Sequence, residues 1–253
     1  MFSTTNAISR RGPTRFFILA AGRTGSTRLR LLIDSHPLAL CHGEVFGENL
    51  STLAEPGSEA HRRLLQERAS DPAGFARHHI FAIEGKEAVG FKILYHQLTD
   101  AWPGLMASLA EDRGIRVVHL VRRNGLKRFL SEYFVGTVTR KNLFLKNEEI
   151  PALPAVEIPP AVLLANLESI EAESERMRGI FRDHQLHELA YEESLEDNGP
   201  VLRGVLDFLG LPPAELSVGI KKILPDDPKV LIENFDEVAA ALRGTRFEWM
   251  LHE

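Results

Sequence analysis

The stretch Phe16-Phe17-Ile18-Leu19-Ala20-Ala21-Gly22-Arg23-Thr24-Gly25-Ser26-Thr27 constrains this chain more than any other. Phe16 to Ala20 is apolar at every position, which fits a strand covered on both faces in a parallel sheet and not an edge strand with one wet face. The run breaks into glycines, a base and hydroxyls before Leu29, Leu32 and Ile33 resume at helical spacing. Glycine permits backbone angles that side chains forbid, so Gly22 and Gly25 predict a tight turn that a ligand can approach closely. Ser26 or Thr27 is expected to cap the helix, whose first unpaired N–H groups then face whatever anion sits in the turn. The expected unit is strand, anion cradle, helix.

A nucleoside triphosphatase fills such a cradle with G-x-x-x-x-G-K-[ST], whereas here Ala20 replaces the first glycine and Ser26 the lysine. No later apolar strand ends in an aspartate suited to magnesium. The anion is therefore expected to arrive without a metal, and no metal site is expected.

With 253 residues, 44% of them hydrophobic and 26% charged, the chain has globular composition and the length for one large core. We expect a flexible tail over 1–14 and a single α/β domain over 15–253. The formal charge of −5 argues against a general polyanion binder. Its distribution is uneven. Between Arg113 and Lys146 there are nine bases against one acid, Glu132, and between Asn147 and Pro200 three bases against thirteen acids. Most of these are read as solvated faces. The basic run has no interleaved aromatic motif, so nucleic acid is not an expected partner.

Cys41 is the only cysteine, which excludes an internal disulfide and fits a reducing compartment. Ser9-Arg10-Arg11 before Phe16 to Ala21 is a poor export signal, because the apolar core is short and Arg23, Arg28 and Arg30 follow at once. No stretch approaches the roughly 20 apolar residues of a membrane span. A cytoplasmic protein is expected.

Ala88–Leu94, which carries the one lysine Lys92, Ile115–Val121 and Leu186–Tyr191 read as further strands, and Leu38–Phe46 as a short strand ending in a loop that exposes Glu44. Helices are expected after the first strand, within 47–77, from about Ala101 to Asp112, over Leu126–Phe134, over Leu163–Phe181, from Pro200 to Gly210 and over Leu231–Leu242. The segment 136–160 is long, basic at first and proline-rich later, the composition of a flap. Alternating strands and helices imply a parallel sheet wrapped by helices. In such a sheet ligands bind beyond the carboxyl ends of the strands. Those ends carry Gly22 to Thr27, Glu44, Lys92 and Arg122-Arg123, with Ser131 on the following helix. Arginine's fork matches phosphate oxygens, so a second anion site is expected. Two such sites and no metal motif suggest a nucleotide phosphorylated at two separate places.

These residues resemble those of sulfotransferases that use 3′-phosphoadenosine 5′-phosphosulfate (PAPS). Gly22-Arg23-Thr24-Gly25-Ser26-Thr27 resembles the family's 5′-phosphosulfate loop, with Arg23 where lysine is common. Leu120-Val121-Arg122-Arg123-Asn124 through Ser131 is similar to its 3′-phosphate motif, and the spacing to Ser131 suits either arginine. Tyr191-Glu192-Glu193-Ser194-Leu195 with Val205 to Leu211 resembles a later family signature. Ile33-Asp34-Ser35-His36-Pro37 and Cys41-His42-Gly43-Glu44 look closest to bacterial carbohydrate sulfotransferases and, more distantly, to tyrosylprotein sulfotransferases.

The resemblance implies a three-layer P-loop-like fold and metal-independent transfer from PAPS to a hydroxyl, most plausibly of a sugar or glycoconjugate. It also implies Glu44 as general base, Arg23 beside the transferred group with Lys92 assisting, and Gly22, Arg23, Thr24, Gly25, Ser26, Thr27, Arg122, Arg123 and Ser131 around the nucleotide. Lys221 and Lys222 are weaker candidates for the nucleotide. An atypical nucleotide kinase and a non-catalytic nucleotide-binding regulator are the competing readings. His119, inside an apolar strand, reads as a core histidine, and Lys127 and Arg128 as a wet helix face.

Overall fold

A computed structural model describes residues 12–47, 50, 53–102, 104–193, 199–225 and 227–252. Five strands form one sheet: β1 (Thr14–Ala20), β2 (Ala39–His42), β3 (Ala88–Leu94), β4 (Arg116–Val121) and β5 (Leu186–Ala190). All neighbours are parallel, in the order β2-β3-β1-β4-β5. The most apolar runs take inner places: Phe16 to Ala20 have no exposed surface, and every residue of β3, Lys92 included, is buried. β5, which carries His187 and Glu188, lies at an edge.

Helix α1 (Ser26–Asp34) follows β1, and α2 (Glu59–Ser70) and α3 (Pro72–Phe75) precede β3. Next come α4 (Leu105–Glu111), α5 (Gly125–Phe134), the long α6 (Pro160–Ile180), α7 (Pro200–Leu209) and α8 (Phe235–Leu242). Alternation along the strands sends successive side chains to opposite faces. Phe17, Leu19, Phe91 and Ile93 pack with Phe46, Phe75, Met177 and Phe181 on one side. Phe16, Ile18, Val118 and Leu120 pack with Leu32, Leu202 and Leu206 on the other. The expected three-layer P-loop-like α/β architecture is what the chain adopts. A third cluster joins Leu126, Leu130 and Phe134 of α5 to Leu163, Leu167, Val238, Leu242 and Phe247.

Several local expectations change. Gly25, at φ 81, is the residue before α1 in the capping position, and no side chain caps that end; Thr27 is instead engaged by Lys92. The helix expected from Ala101 begins at Leu105, because a π-helical turn over Gln97–Ala101 precedes it and Gly104 sits at φ 85. The helix expected from Leu231 splits into a 3-10 turn over Pro228–Leu231 and α8, separated by an extended Ile232. Arg128 is buried rather than wet, bonded to Glu132 and Asn166. Within the segment expected to be a flap, Phe144 and Ile158 are buried, and Leu145 and Val156 bridge to Ile220 and Ile232. Of the expected tail, residues 1–11 lie outside the described residues, and Thr14 already opens β1.

Candidate active site

The turn after β1 is built around an unusual backbone. Arg23 adopts φ 64, a left-handed conformation that costs a non-glycine residue about 1–2 kcal/mol. Hydrogen bonds hold the turn and this residue. Thr24 Oγ1 donates to the Ala21 carbonyl at 2.8 Å, and Arg122 Nη1 to the Arg23 carbonyl at 3.1 Å. Arg23 Nε donates to Ser131 Oγ at 3.1 Å, and its Nη1 to Asn142 Oδ1 at 3.0 Å. At Gly25, glycine is required twice over: φ is 81, and a Cβ would overlap the Tyr191 ring.

Arg122 leaves the end of β4 and lies over Tyr191, with Cζ 4.6 Å from the ring centroid. Its Nε is buried and has no hydrogen-bond partner among the described residues. Burial lowers the pKa of Arg122; burial, and then the neighbouring Arg122, lowers that of Arg23. Arg123 turns the other way and pairs with Glu193 at 2.6 Å, its side chain 58% exposed. The Glu192 carboxylate accepts the backbone N–H groups of Arg123 and Asn124, at the start of α5. Tyr191, Glu192 and Glu193 thus each serve this corner, while Ser194 and Leu195 lie outside the described residues.

Arg23, Gly25, Ser26, Thr27, Arg122 and Ser131 line one cavity of about 410 Å³, which Lys146, Lys221 and Lys222 also border. Lys221 Nζ donates to the Glu148 carbonyl. Two desolvated guanidiniums facing one space, beside a bare helix N-terminus, suit a ligand with more than one negative charge.

Glu44 lies beyond the other end of the cradle. One of its carboxylate oxygens is 2.7 Å from Lys92 Nζ, and the other accepts from Gln97 Nε2 at 2.7 Å. Lys92 Nζ, almost fully buried, also donates to Thr27 Oγ1 at 2.9 Å. The backbone just past Glu44 is clamped. Arg68 Nη1 donates to the carbonyls of Val45 (2.6 Å) and Gly47 (2.8 Å), and Trp102 Nε1 to that of Phe46 (2.6 Å). Arg68 stacks on Trp102, with Cζ 4.9 Å from the ring centroid.

Thr27 therefore joins the two halves, since it borders the cavity and touches Lys92. Gly22 and Thr24 face two other cavities, of about 220 and 320 Å³, across the turn, and both Arg122 and Arg123 border the second of them. Sequence reasoning placed Tyr191 in a family signature without a role at the site, and missed Asn142, Gln97, Arg68 and Trp102. Tyr191 had a usable signal, because it follows a parallel strand directly. Arg68 had none, lying in a polar stretch without a motif.

Nodulation protein H of Rhizobium meliloti strain 1021, a sulfotransferase, is 30% identical over 205 residues, covering 81% of this chain and 81% of that protein. Nodulation protein H of Rhizobium meliloti matches with the same identity and coverage. The chain belongs to the PAPS-dependent sulfotransferase family. This sulfotransferase also shares its fold with a sulfotransferase from Alicyclobacillus acidocaldarius, with a TM-score of 0.52 and 19% identity over 96% of this chain and 97% of that one. No protein-family model matches it. Among the described residues no helix of the sulfotransferase is long and apolar enough to cross a membrane, and no group of three or more His, Cys, Asp or Glu side chains is arranged to hold a metal ion.

Proposed function

We propose that this sulfotransferase transfers the sulfuryl group of PAPS to a hydroxyl of a sugar or glycoconjugate by in-line attack. One observation carries the reading: the Arg23 turn and the Arg122–Ser131 corner are hydrogen-bonded into a single cationic wall, with a buried Arg122 Nε lacking a partner among the described residues. PAPS carries its anionic groups at two separate ends, and two adjoining anion-seeking arms suit it. The sugar preference rests on the likeness of Ile33–Pro37 and Cys41–Glu44 to bacterial carbohydrate sulfotransferases. We further propose that residues 15–253 act as one domain.

PAPS supplies the sulfuryl group: the acceptor oxygen bonds to sulfur as the bridging S–O bond breaks, and that bond's electron pair leaves with adenosine 3′,5′-bisphosphate. Glu44 takes the hydroxyl proton. Its oxygens already accept bonds from Lys92 and Gln97, yet a carboxylate oxygen has lone pairs for more than one donor. Lys92 and Arg23 bring positive charge to the two ends of the cradle, where fixed cations and N–H groups stabilise developing negative charge. Arg122 and Ser131 hold the 3′-phosphate.

The test is transfer of labelled sulfate from PAPS to a panel of methyl glycosides, simple alcohols and phenols. A Glu44→Gln variant is expected to lose about 10²- to 10⁴-fold in kcat while binding adenosine 3′,5′-bisphosphate normally by calorimetry. Unchanged kcat would remove Glu44 as the base, and transfer only to phenols would remove the sugar reading. Magnesium-dependent binding of ATP with no binding of the bisphosphate would overturn the donor assignment.

A further inference from the structure

The two cavities across the turn share Ala21, Tyr95, Arg128 and Ile170 on their walls. The smaller one includes Gly22 of the cradle and His96, the chain neighbour of the Gln97 that holds Glu44. Concave space therefore continues from the Gly22 side of the turn, and the larger of these cavities meets the cationic one at Arg122, which borders both. At the junction stands Tyr95, which follows β3 directly.

Behind Tyr95 runs a chain of three side chains. Arg178 Nε and Nη2 donate to the Glu188 carboxylate at 2.8 and 3.0 Å. Glu188 Oε2 is 2.9 Å from His119 Nδ1, and His119 Nε2 is 2.6 Å from Tyr95 Oη. His119 has no exposed surface. Burial pushes Glu188 up, but Arg178 and His119 outweigh it and hold the carboxyl below its ordinary value, so it accepts only. The Nδ1 of His119 must then carry a proton. Burial lowers His119 despite Glu188, which leaves the ring neutral and Nε2 a bare acceptor. Burial pushes the Tyr95 hydroxyl up to about 12, so it keeps its single proton, and that proton points inward at His119. What Tyr95 offers its other surroundings is lone pairs. Ser174 Oγ, 3.5 Å away, is at the outer limit of a hydrogen bond.

We propose that these two cavities seat the sulfate acceptor and that Tyr95 Oη accepts a hydrogen bond from a second O–H or N–H of that molecule, with Glu188 and His119 as positioning residues that fix the phenol's proton. The inference rests on the hydroxyl-acceptor reading above. It selects a class within it: acceptors carrying a donor group beside the reacting hydroxyl, as polyols and amino sugars do and simple alcohols do not.

The experiment pairs kinetics with ¹⁵N imidazole spectra of the wild-type enzyme saturated with adenosine 3′,5′-bisphosphate, titrated with the same panel. An acceptor donating to Tyr95 strengthens the Tyr95–His119 bond through polarisation, so the His119 Nε2 resonance should move with a midpoint equal to the acceptor KM. Tyr95→Phe should raise that KM at least tenfold, with kcat, PAPS KM and bisphosphate affinity kept. An acceptor that saturates turnover without moving the His119 resonance overturns the assignment, as does a Tyr95→Phe enzyme with unchanged acceptor KM. If only phenols bearing a second hydroxyl react and move the resonance, the sugar reading falls and the Tyr95 assignment stands. If no compound of any class moves it, the Tyr95 assignment falls.

Discussion

Arg122 and Arg123 are adjacent in sequence and opposite in environment. Arg122 is stacked on Tyr191 with a buried Nε that has no partner among the described residues, whereas Arg123 reaches solvent and Glu193. Hydrogen bonds to charged groups contribute about 1.5–3 kcal/mol, and exposed ion pairs about 0–1 kcal/mol. Calorimetry with adenosine 3′,5′-bisphosphate should therefore show Arg122→Ala weakening affinity by about 10- to 100-fold and Arg123→Ala by less than about fivefold. The sequence spacing to Ser131 allowed both arginines; only the direction each takes after β4 separates them. Arg23 poses a different question, because its backbone sits at φ 64. Replacing it with glycine removes the left-handed penalty of about 1–2 kcal/mol together with the bonds to Ser131 and Asn142, each worth about 1 kcal/mol. These terms nearly cancel. Arg23→Gly should keep its thermal midpoint within a few degrees while losing most of its kcat, and a large drop in midpoint would show that the side chain is mainly structural.

At the scale of elements, the turn between β1 and α1 separates two glycines by what surrounds them. A Cβ at Gly22 would meet nothing within 4 Å, whereas one at Gly25 would strike the Tyr191 ring at a positive φ. Gly22→Ala should leave stability unchanged and lower PAPS affinity if the ligand approaches that backbone closely. Gly25→Ala should lower both, since Tyr191 must shift and carry Arg122 with it. The loop after Glu44 offers a parallel case. Arg68 and Trp102 satisfy three consecutive carbonyls, those of Val45, Phe46 and Gly47, and so fix where the glutamate can point. Arg68→Met keeps the side chain's bulk but removes donors from two of them, at a cost of about 1–3 kcal/mol for each group left buried and unsatisfied. A lowered midpoint with kcat reduced more than PAPS KM is the expected result. The cradle was legible in the sequence because strand, glycine turn and helix are contiguous. The clamp was not, because Arg68 lies 21 and 23 residues from its acceptors and no local pattern announces it.

For the whole molecule, the inner strands were legible because a two-sided parallel sheet demands largely apolar runs, and Phe16–Ala20 and Ala88–Leu94, broken only by Lys92, have no alternative burial. The order of those strands and the burial of Arg128 depend on contacts between distant segments, which composition and periodicity do not encode. The same holds for the titrating groups. His42, His119 and His187 are all lowered below 6.5, in each case chiefly by burial. Glu188 is held below 4.5, where Arg178 and His119 overcome the opposing effect of burial. The three histidines are neutral in the folded state at pH values where the unfolded chain has begun to bind protons, so unfolding takes up protons and stability falls as pH drops below about 6.5. The depressed Glu188 contributes stability that is present above about 4.5 and is lost below it, again because the unfolded chain protonates first. All four act in the same direction. Thermal midpoints measured from pH 8 to pH 4 should hold steady to about 6.5 and then decline, more steeply below 4.5. His119→Gln removes one proton-uptake group and should flatten the first part of that decline, whatever it does to the midpoint at pH 8. A midpoint that rises on acidification to pH 5.5 would contradict the assignment of neutral, buried histidines.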